Sequence, residues 1–177
     1  MKKILFVLLF LFSGLSSQVL EKGVIVGLNF AKITDFKNHD YSYMTGYAIG
    51  GYCKFDYANK FAIRPELIYS IQGYSENNIT VHMNYLVLPV LGVFDISNNF
   101  NFFAGPYIDY FTDGTKKDTW KITKPTGGLI LGIEITDASF SYQGRINLGI
   151  ININSSTDSE AYHYFHRLFQ LILGYNF

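Results

Sequence analysis

The stretch Tyr-Phe-His-Arg-Leu-Phe-Gln-Leu-Ile-Leu-Gly-Tyr-Asn-Phe, residues 164–177, decides how the rest of the chain is read. Taken in alternation, Arg167, Phe169, Leu171, Leu173, Tyr175 and Phe177 form one face, almost wholly apolar and aromatic. His166, Leu168, Gln170, Ile172, Gly174 and Asn176 form the other, a mixture of polar, small and apolar groups. A period of two with one apolar face describes a β-strand whose faces meet different media. Membrane barrels cross the bilayer on tilted strands of about 9–11 residues with aromatic residues at both interfaces. The stretch resembles the last strand of such a barrel, and that resemblance implies an assembly role for its end, Leu173, Tyr175 and Phe177.

Working back from this strand, the same alternation recurs. Residues 24–31 set Val24, Val26, Leu28 and Phe30 against Ile25, Gly27, Asn29 and Ala31. Residues 47–55 and 61–73 continue it, the latter with Phe61, Ile63, Leu67 and Tyr69 opposite Arg64, Glu66, Ser70 and Gln72. Residues 100–111, 127–135 and 139–153 give three more strands. Residues 81–96 are the exception: the run 85–91 is continuously apolar, so periodicity assigns no faces, and Pro89 predicts a local break or bulge. Eight strands result, joined by connections that alternate long, short, medium, short, long, short, long. Long outer loops and short periplasmic turns are the membrane-barrel arrangement, with both termini on the periplasmic side.

Composition agrees. The chain of 177 residues is 49% hydrophobic and 18% aromatic but only 16% charged, against a usual charged share of about 25%. Zero net charge argues against a nucleic-acid partner. One cysteine, Cys53, excludes an intramolecular disulfide. Lys2 and Lys3, the apolar run 4–12 and the small residues Ser13, Gly14, Ser16 and Ser17 read as an export signal cleaved around residues 16–18. The expected domains are a signal peptide, 1–17, and a barrel, 18–177.

The expected fold is therefore all-β: an eight-stranded, antiparallel, up-and-down transmembrane barrel integral to the outer membrane. A soluble lipocalin-like ligand-binding barrel also has eight strands, but with apolar groups inside and polar groups outside. Here Arg64, Glu66, Glu134 and Arg145 share faces with Gly, Ser and Gln, which suits a lumen, and the opposite faces carry no charge. Eight strands leave an interior that side chains fill. Tyr52, Gln72, Phe103, Tyr107, Gln143 and Gln170 add bulk and hydrogen-bonding capacity there. The two positive and two negative groups balance, and Arg145 is expected to contact Glu134 and to reach toward Glu66. The alternative is that each sits separately in lumen water. No cofactor or metal is expected, since no two histidines have a zinc-ligand spacing.

Several segments resemble the PorT-like outer-membrane β-barrel family. Gly27-Leu28-Asn29-Phe30 resembles its first-strand motif, and Asn84-Tyr85-Leu86-Val87-Leu88-Pro89 its tyrosine–leucine–acidic–apolar–proline strand. Phe103-Ala104-Gly105-Pro106-Tyr107, Arg145-Ile146-Asn147-Leu148-Gly149-Ile150 and Leu173-Gly174-Tyr175-Asn176-Phe177 resemble later strands. Val87 stands where the family often carries an acid. The resemblance implies outer-membrane lipid and the barrel-assembly machinery as partners. The founding member is linked to secretion and gliding, a role that does not pass with the fold.

Two function classes follow. The first is a non-enzymatic barrel, structural, adhesive or part of a surface or secretion-related assembly, meeting an unknown protein partner at its outer loops. Trp120, with Lys116 and Lys117 in the lysine-rich loop 112–126, is the candidate contact. The second is a rim-sited lipid-modifying enzyme, with Ser155, Ser156, Ser159, His163 and His166 as its candidates. They show no nucleophile–base–orienter set, so no catalytic residue is assigned.

Overall fold

The structure, a computed structural model, describes residues 19–34, 44–76, 79–114, 125–150 and 165–177. The strands are β1 (Val19–Thr34), β2 (Met44–Ala58), β3 (Phe61–Glu76), β4 (Ile79–Ser97), β5 (Phe100–Gly114), β6 (Thr126–Asp137), β7 (Phe140–Gly149) and β8 (Phe165–Asn176). Each pairs antiparallel with the next, and β8 pairs with β1 to close the barrel. Closure removes every sheet edge, as a membrane requires of a backbone that has no water to satisfy it. Three connections are tight turns at 59–60, 98–99 and 138–139, all at the end that carries the start of β1 and the end of β8. Lys60 and Ala138 take positive φ there, 66° and 50°.

Alternation turns into two media. Outward residues include Val24, Val26 and Leu28 of β1, Leu129, Leu131 and Ile133 of β6, and Phe169, Leu171 and Leu173 of β8, all exposed on the outer wall. Inward residues include Asn29, Arg64, Glu66, Gln72, Asn101, Glu134, Arg145 and Gln170, all buried. Polar inside and apolar outside is the reverse of a lipocalin-type barrel. Aromatic pairs lie toward the turn end of the outer wall: Phe61–Phe94 at 4.7 Å, Tyr57–Phe61 at 6.2 Å and Phe140–Tyr175 at 5.4 Å between ring centres.

β4 resolves what periodicity left open. Met83, Tyr85, Val87, Leu91 and Val93 are buried in the lumen, while Val90, Phe94 and Ile96 face outward. Both faces of this strand are apolar because its inner face packs into a hydrophobic cluster with Ile68, Phe103, Tyr107 and Ile130. Pro89 makes no bulge. Pairing with β3 skips Glu66 and Leu67 and resumes in the same register. The irregularities of β4 against β5 lie instead between Asn84 and Tyr85 and between Asp95 and Ser97.

Several strands outrun their expected limits. β1 starts at Val19, β5 continues to Gly114, and the expected loop 74–80 is largely strand, with β3 and β4 paired to Glu76↔Ile79. β4 has 19 residues, about twice what a crossing needs. The expected strand 139–153 is described only to Gly149, and residues 151–153 lie outside the described set.

Candidate functional site

The lumen is where the chemistry of this chain collects. Arg64 and Glu66 are inward neighbours on β3, Glu134 comes from β6, and Gln143 and Arg145 come from β7. β3 and β7 stand opposite each other in the ring of eight. Arg145 reaches across and grips Glu66 with two hydrogen bonds, Nη1 to Oε2 at 2.6 Å and Nη2 to Oε1 at 2.9 Å. Arg64 Nη1 donates to both oxygens of Glu134, at 2.8 and 3.0 Å. Arg64 Nε lies 3.0 Å from Glu66 Oε1, near enough for ionic attraction, but it is not aligned for a hydrogen bond.

Gln143 joins the two pairs. Its Oε1 accepts from Arg145 Nε at 2.9 Å and from Nη2, and its Nε2 donates to Glu134 Oε1 at 2.7 Å. Asn101 Nδ2 adds a bond to Glu134 Oε2 at 3.2 Å. The result is a closed circuit, Arg64–Glu134–Gln143–Arg145–Glu66–Arg64. Buried charges persist only when paired and hydrogen-bonded in this way. The four charged side chains are 0–3% exposed.

The expected direct contact between Arg145 and Glu134 is replaced by this relay. Register explains it: Gly132, not Glu134, lies opposite Arg145, and Gln143 takes the place opposite Glu134. The Phe103 ring lies over Gly132, where any Cβ would stand 2.3 Å from its Cζ. Both guanidinium groups sit over that ring, Arg64 at 4.9 Å and Arg145 at 5.2 Å from its centre. Tyr52 offers Arg64 a second ring at 5.3 Å. Arg64 Nη2, which has no hydrogen-bond partner, belongs to a guanidinium flanked by these π-faces.

Two further layers flank the circuit. Toward the turns, the Tyr52 hydroxyl bonds Glu21 at 3.1 Å and also Asn176, and Lys54 meets Glu21 at 3.5 Å. Glu21, Lys54 and Asn176 border a polar cavity of about 610 Å³, lined also by Lys60, Asp95 and Asn101. Toward the long loops runs a chain of amides. Asn29 Nδ2 donates to Tyr47 O, Ile71 O and Ser70 Oγ at 2.8–3.0 Å. Gln170 Nε2 donates to Asn29 Oδ1 at 2.7 Å, and Asn147 Nδ2 to Gln170 Oε1 at 3.1 Å.

The expected balance of two positive and two negative lumen charges omits Asp109 of β5, which is 4% exposed and points inward beside Thr126. Its alternation with Phe103 and Tyr107 marked its face, but two aromatic neighbours masked it as a lumen charge. Val87, where an acid is common in the resembled family, is the cross-strand neighbour of Asp109.

The remaining candidates fall elsewhere. Leu173, Tyr175 and Phe177 face outward, and Phe177 N donates to Lys22 O at 3.0 Å while Lys22 Nζ lies 5.4 Å from its ring. Trp120, Lys116, Lys117, Ser155, Ser156, Ser159 and His163 lie outside the described residues. His166 is placed by its backbone, paired with Ile33. Among the described residues no three His, Cys, Asp or Glu side chains gather as metal ligands.

Comparison with known proteins bears on this architecture. Ail of Yersinia pestis, solved with the heparin analogue sucrose octasulfate, is similar in structure with a TM-score of 0.52 at 13% identity, over 89% of this chain and 98% of Ail. Ail in a phospholipid bilayer nanodisc gives 0.53 at 10% identity, over 89% and 99%. Neisserial surface protein A gives 0.57 at 9% identity, over 88% of this chain and 97% of that one. At such identities the likeness shows a shared fold. No curated protein matches the sequence. Residues 16–155 match the model of the outer membrane protein beta-barrel domain. An apolar outer wall, a charged inner network and that match over most of the chain place it together: it belongs to the outer membrane protein beta-barrel domain family.

Proposed function

We propose that this protein is a non-enzymatic outer-membrane barrel with a plugged lumen, of the PorT-like kind, acting as a membrane-anchored scaffold for a surface or secretion-related assembly. The observation that carries the reading is the circuit of Arg64, Glu66, Glu134, Gln143 and Arg145 around Phe103. It brings side chains from opposite walls into contact at the centre of a narrow barrel. Such an interior leaves no water column of porin width. Function then moves to the ends of the barrel, where the loop with Lys116, Lys117 and Trp120 offers cations and an aromatic anchor to a protein partner. Residues 1–17 are removed on export, and the outward face of Leu173, Tyr175 and Phe177 is read by the assembly machinery.

The test uses purified protein in planar bilayers together with capture of partners from detergent extracts. The expected result is no steady conductance of porin size, and co-purification of an envelope protein that Trp120→Ala weakens. Stable open channels sink the plugged-lumen reading. A lipid-modifying activity lost on Ser155→Ala or His163→Ala sinks the non-enzymatic one.

A further inference from the structure

The polar cavity at the turn end, about 610 Å³, lies within the range of about 300–1,000 Å³ over which proteins hold small ligands. Lys60, Asp95 and Asn101, which line it, stand in one cross-strand row. The carbonyl of Lys60, at the turn before β3, accepts from Asp95 N at 3.0 Å. Asp95 on β4 is the register partner of Asn101 on β5. Asn101 is in turn the partner of Glu134 on β6. The row runs from the rim of the cavity into the charged circuit.

The circuit fixes which way Asn101 turns. Glu134 carries a carboxylate held by Arg64, and a carboxylate only accepts. Asn101 must therefore present Nδ2 to it, as it does at 3.2 Å. That leaves Oδ1 as the polar atom Asn101 offers to the cavity, and it accepts no hydrogen bond among the described residues. Asn101 is 5% exposed, so this acceptor is held in place. Asp95 stands beside it. Residues directly opposite in an antiparallel pair hold their Cβ atoms about 4.5–5.5 Å apart. Two short side chains at that spacing, both lining one cavity, bring a carboxylate and an amide oxygen within reach of a single ammonium.

The remaining charges sort themselves. Lys54 and Glu21 hold each other at 3.5 Å, and Glu21 also accepts from the Tyr52 hydroxyl. Lys60 and Asp95 take no part in an ion pair among the described residues, although their backbones are bonded. The cavity thus asks for a donor at Asp95 and Asn101 and for an anion at Lys60. A metal cation would answer only the first, and an inorganic anion only the second. We propose that the turn-end cavity binds a small zwitterion, an amino acid or a short peptide with both termini free. Its ammonium donates to the Asp95 carboxylate and to Asn101 Oδ1, and its carboxylate accepts from Lys60 Nζ. Hydrogen bonds with an ionised partner are stronger than neutral ones. The competing arrangement is direct pairing of Lys60 with Asp95, which satisfies both charges without a ligand. The site lies at the end of the barrel opposite the β5–β6 loop, so its test is independent of a partner at Trp120.

The experiment titrates the isotope-labelled, detergent-folded barrel with L-alanine and with L-alanyl-L-alanine, followed by the side-chain amide resonance of Asn101. At least one probe should shift that resonance saturably, and the tighter of the two identifies amino acid or peptide as the source. N-acetylation of the tighter probe removes its ammonium and C-amidation its carboxylate. Each should weaken binding about tenfold or more, the loss expected for a hydrogen bond to a charged group. Asp95→Asn should shrink the penalty for N-acetylation, and Lys60→Gln the penalty for amidation. Asp56→Asn, at an exposed acid of β2 outside the cavity, should leave the affinity unchanged. Should Asp95→Asn fail to fold, Lys60→Gln with the amidated probe carries the same test from the rim. A resonance that neither probe moves would mean that Lys60 and Asp95 satisfy each other, and overturn the proposal. Equal affinity for free and blocked probes, or penalties that both variants leave intact, would overturn it as well.

Discussion

Arg64 and Leu67 are close neighbours on one strand, yet they live in different solvents. Arg64 is buried in the lumen and held by a carboxylate, two rings and a second acid, whereas Leu67 is 53% exposed on the outer wall and needs no partner. The inner face resembles the core of a soluble protein, where each buried polar group has to be satisfied and each volume filled. The outer face is matched to lipid by chemistry alone. Inside, therefore, removing a group does the damage. Outside, inserting one does.

The largest effect expected from this contrast is inside. Arg145→Ala leaves Glu66 and Gln143 buried with their main donor gone, at a cost of about 3–5 kcal/mol. The measurement is the denaturant midpoint of the folded barrel, followed by its gel mobility before and after boiling. Arg145→Met combined with Glu66→Leu removes both charges, and should recover most of the loss. Equal damage from the single and double variants would show that packing around Phe103, not charge pairing, carries the cost.

The next effect is outside. Arginine on the lipid face costs about 2–4 kcal/mol near the midplane and about 0–1 near an interface. Leu171→Arg should therefore disturb folding into bilayers more than Leu173→Arg, and Tyr175→Arg least, since Tyr175 lies in the aromatic belt beside Phe140 and Phe177. A flat series would mean that the belt does not mark the bilayer boundary. Smaller again is Asn29→Ala, which strips donors from Tyr47 O and Ile71 O and an acceptor from Gln170. Leaving buried groups unsatisfied costs about 1–3 kcal/mol, read from the same midpoint. Asn29→Asp, which retains only an acceptor, should do no better.

Strand faces were legible wherever the two media differ along a strand, as in β3, where Arg64 and Glu66 alternate with Pro65 and Leu67. In β4 they were not, because its inner face lines an apolar part of the lumen and both faces carry the same signal. Charges near the middle of the lumen were legible as a set, and the reach of Arg145 to Glu66 was legible too, but the expected direct contact of Arg145 with Glu134 is not made. Pairing depends on a cross-barrel reach and on a stagger that only closure fixes, so Arg145 meets Glu66 of the far wall rather than its neighbour's acid. Asp109 and the polarity of the amide chain through Asn29, Gln170 and Asn147 lay deeper still. Each amide is unremarkable in sequence, and its direction follows from two backbone carbonyls on other strands. The extension of β3 and β4 to Glu76↔Ile79 was hidden for another reason, since Ser75, Glu76, Asn77 and Asn78 read as a polar loop.

The smallest effect is the sharpest test of the contrast. Leu91 is 0% exposed in the lumen cluster, and Leu131 is 40% exposed on the outer wall. Leu→Ala at either position removes the same atoms. Both substitutions lose transfer out of water, worth about 0.8 kcal/mol for each buried methylene, whether the destination is protein or lipid. At Leu91 a cavity is also left among Ile68, Phe103 and their neighbours, which relax only in part. That cavity contribution is what raises core Leu→Ala costs into the range of about 2–5 kcal/mol. At Leu131 fluid lipid chains close over the missing atoms. Leu91→Ala should therefore lower the unfolding midpoint more than Leu131→Ala, by the equivalent of about 1–2 kcal/mol. The difference should narrow in Leu91→Met, which conserves volume. Equal losses at the two positions would mean that the lumen around Leu91 refills as freely as lipid does, with water or mobile side chains, and a packed inner face would no longer describe this barrel.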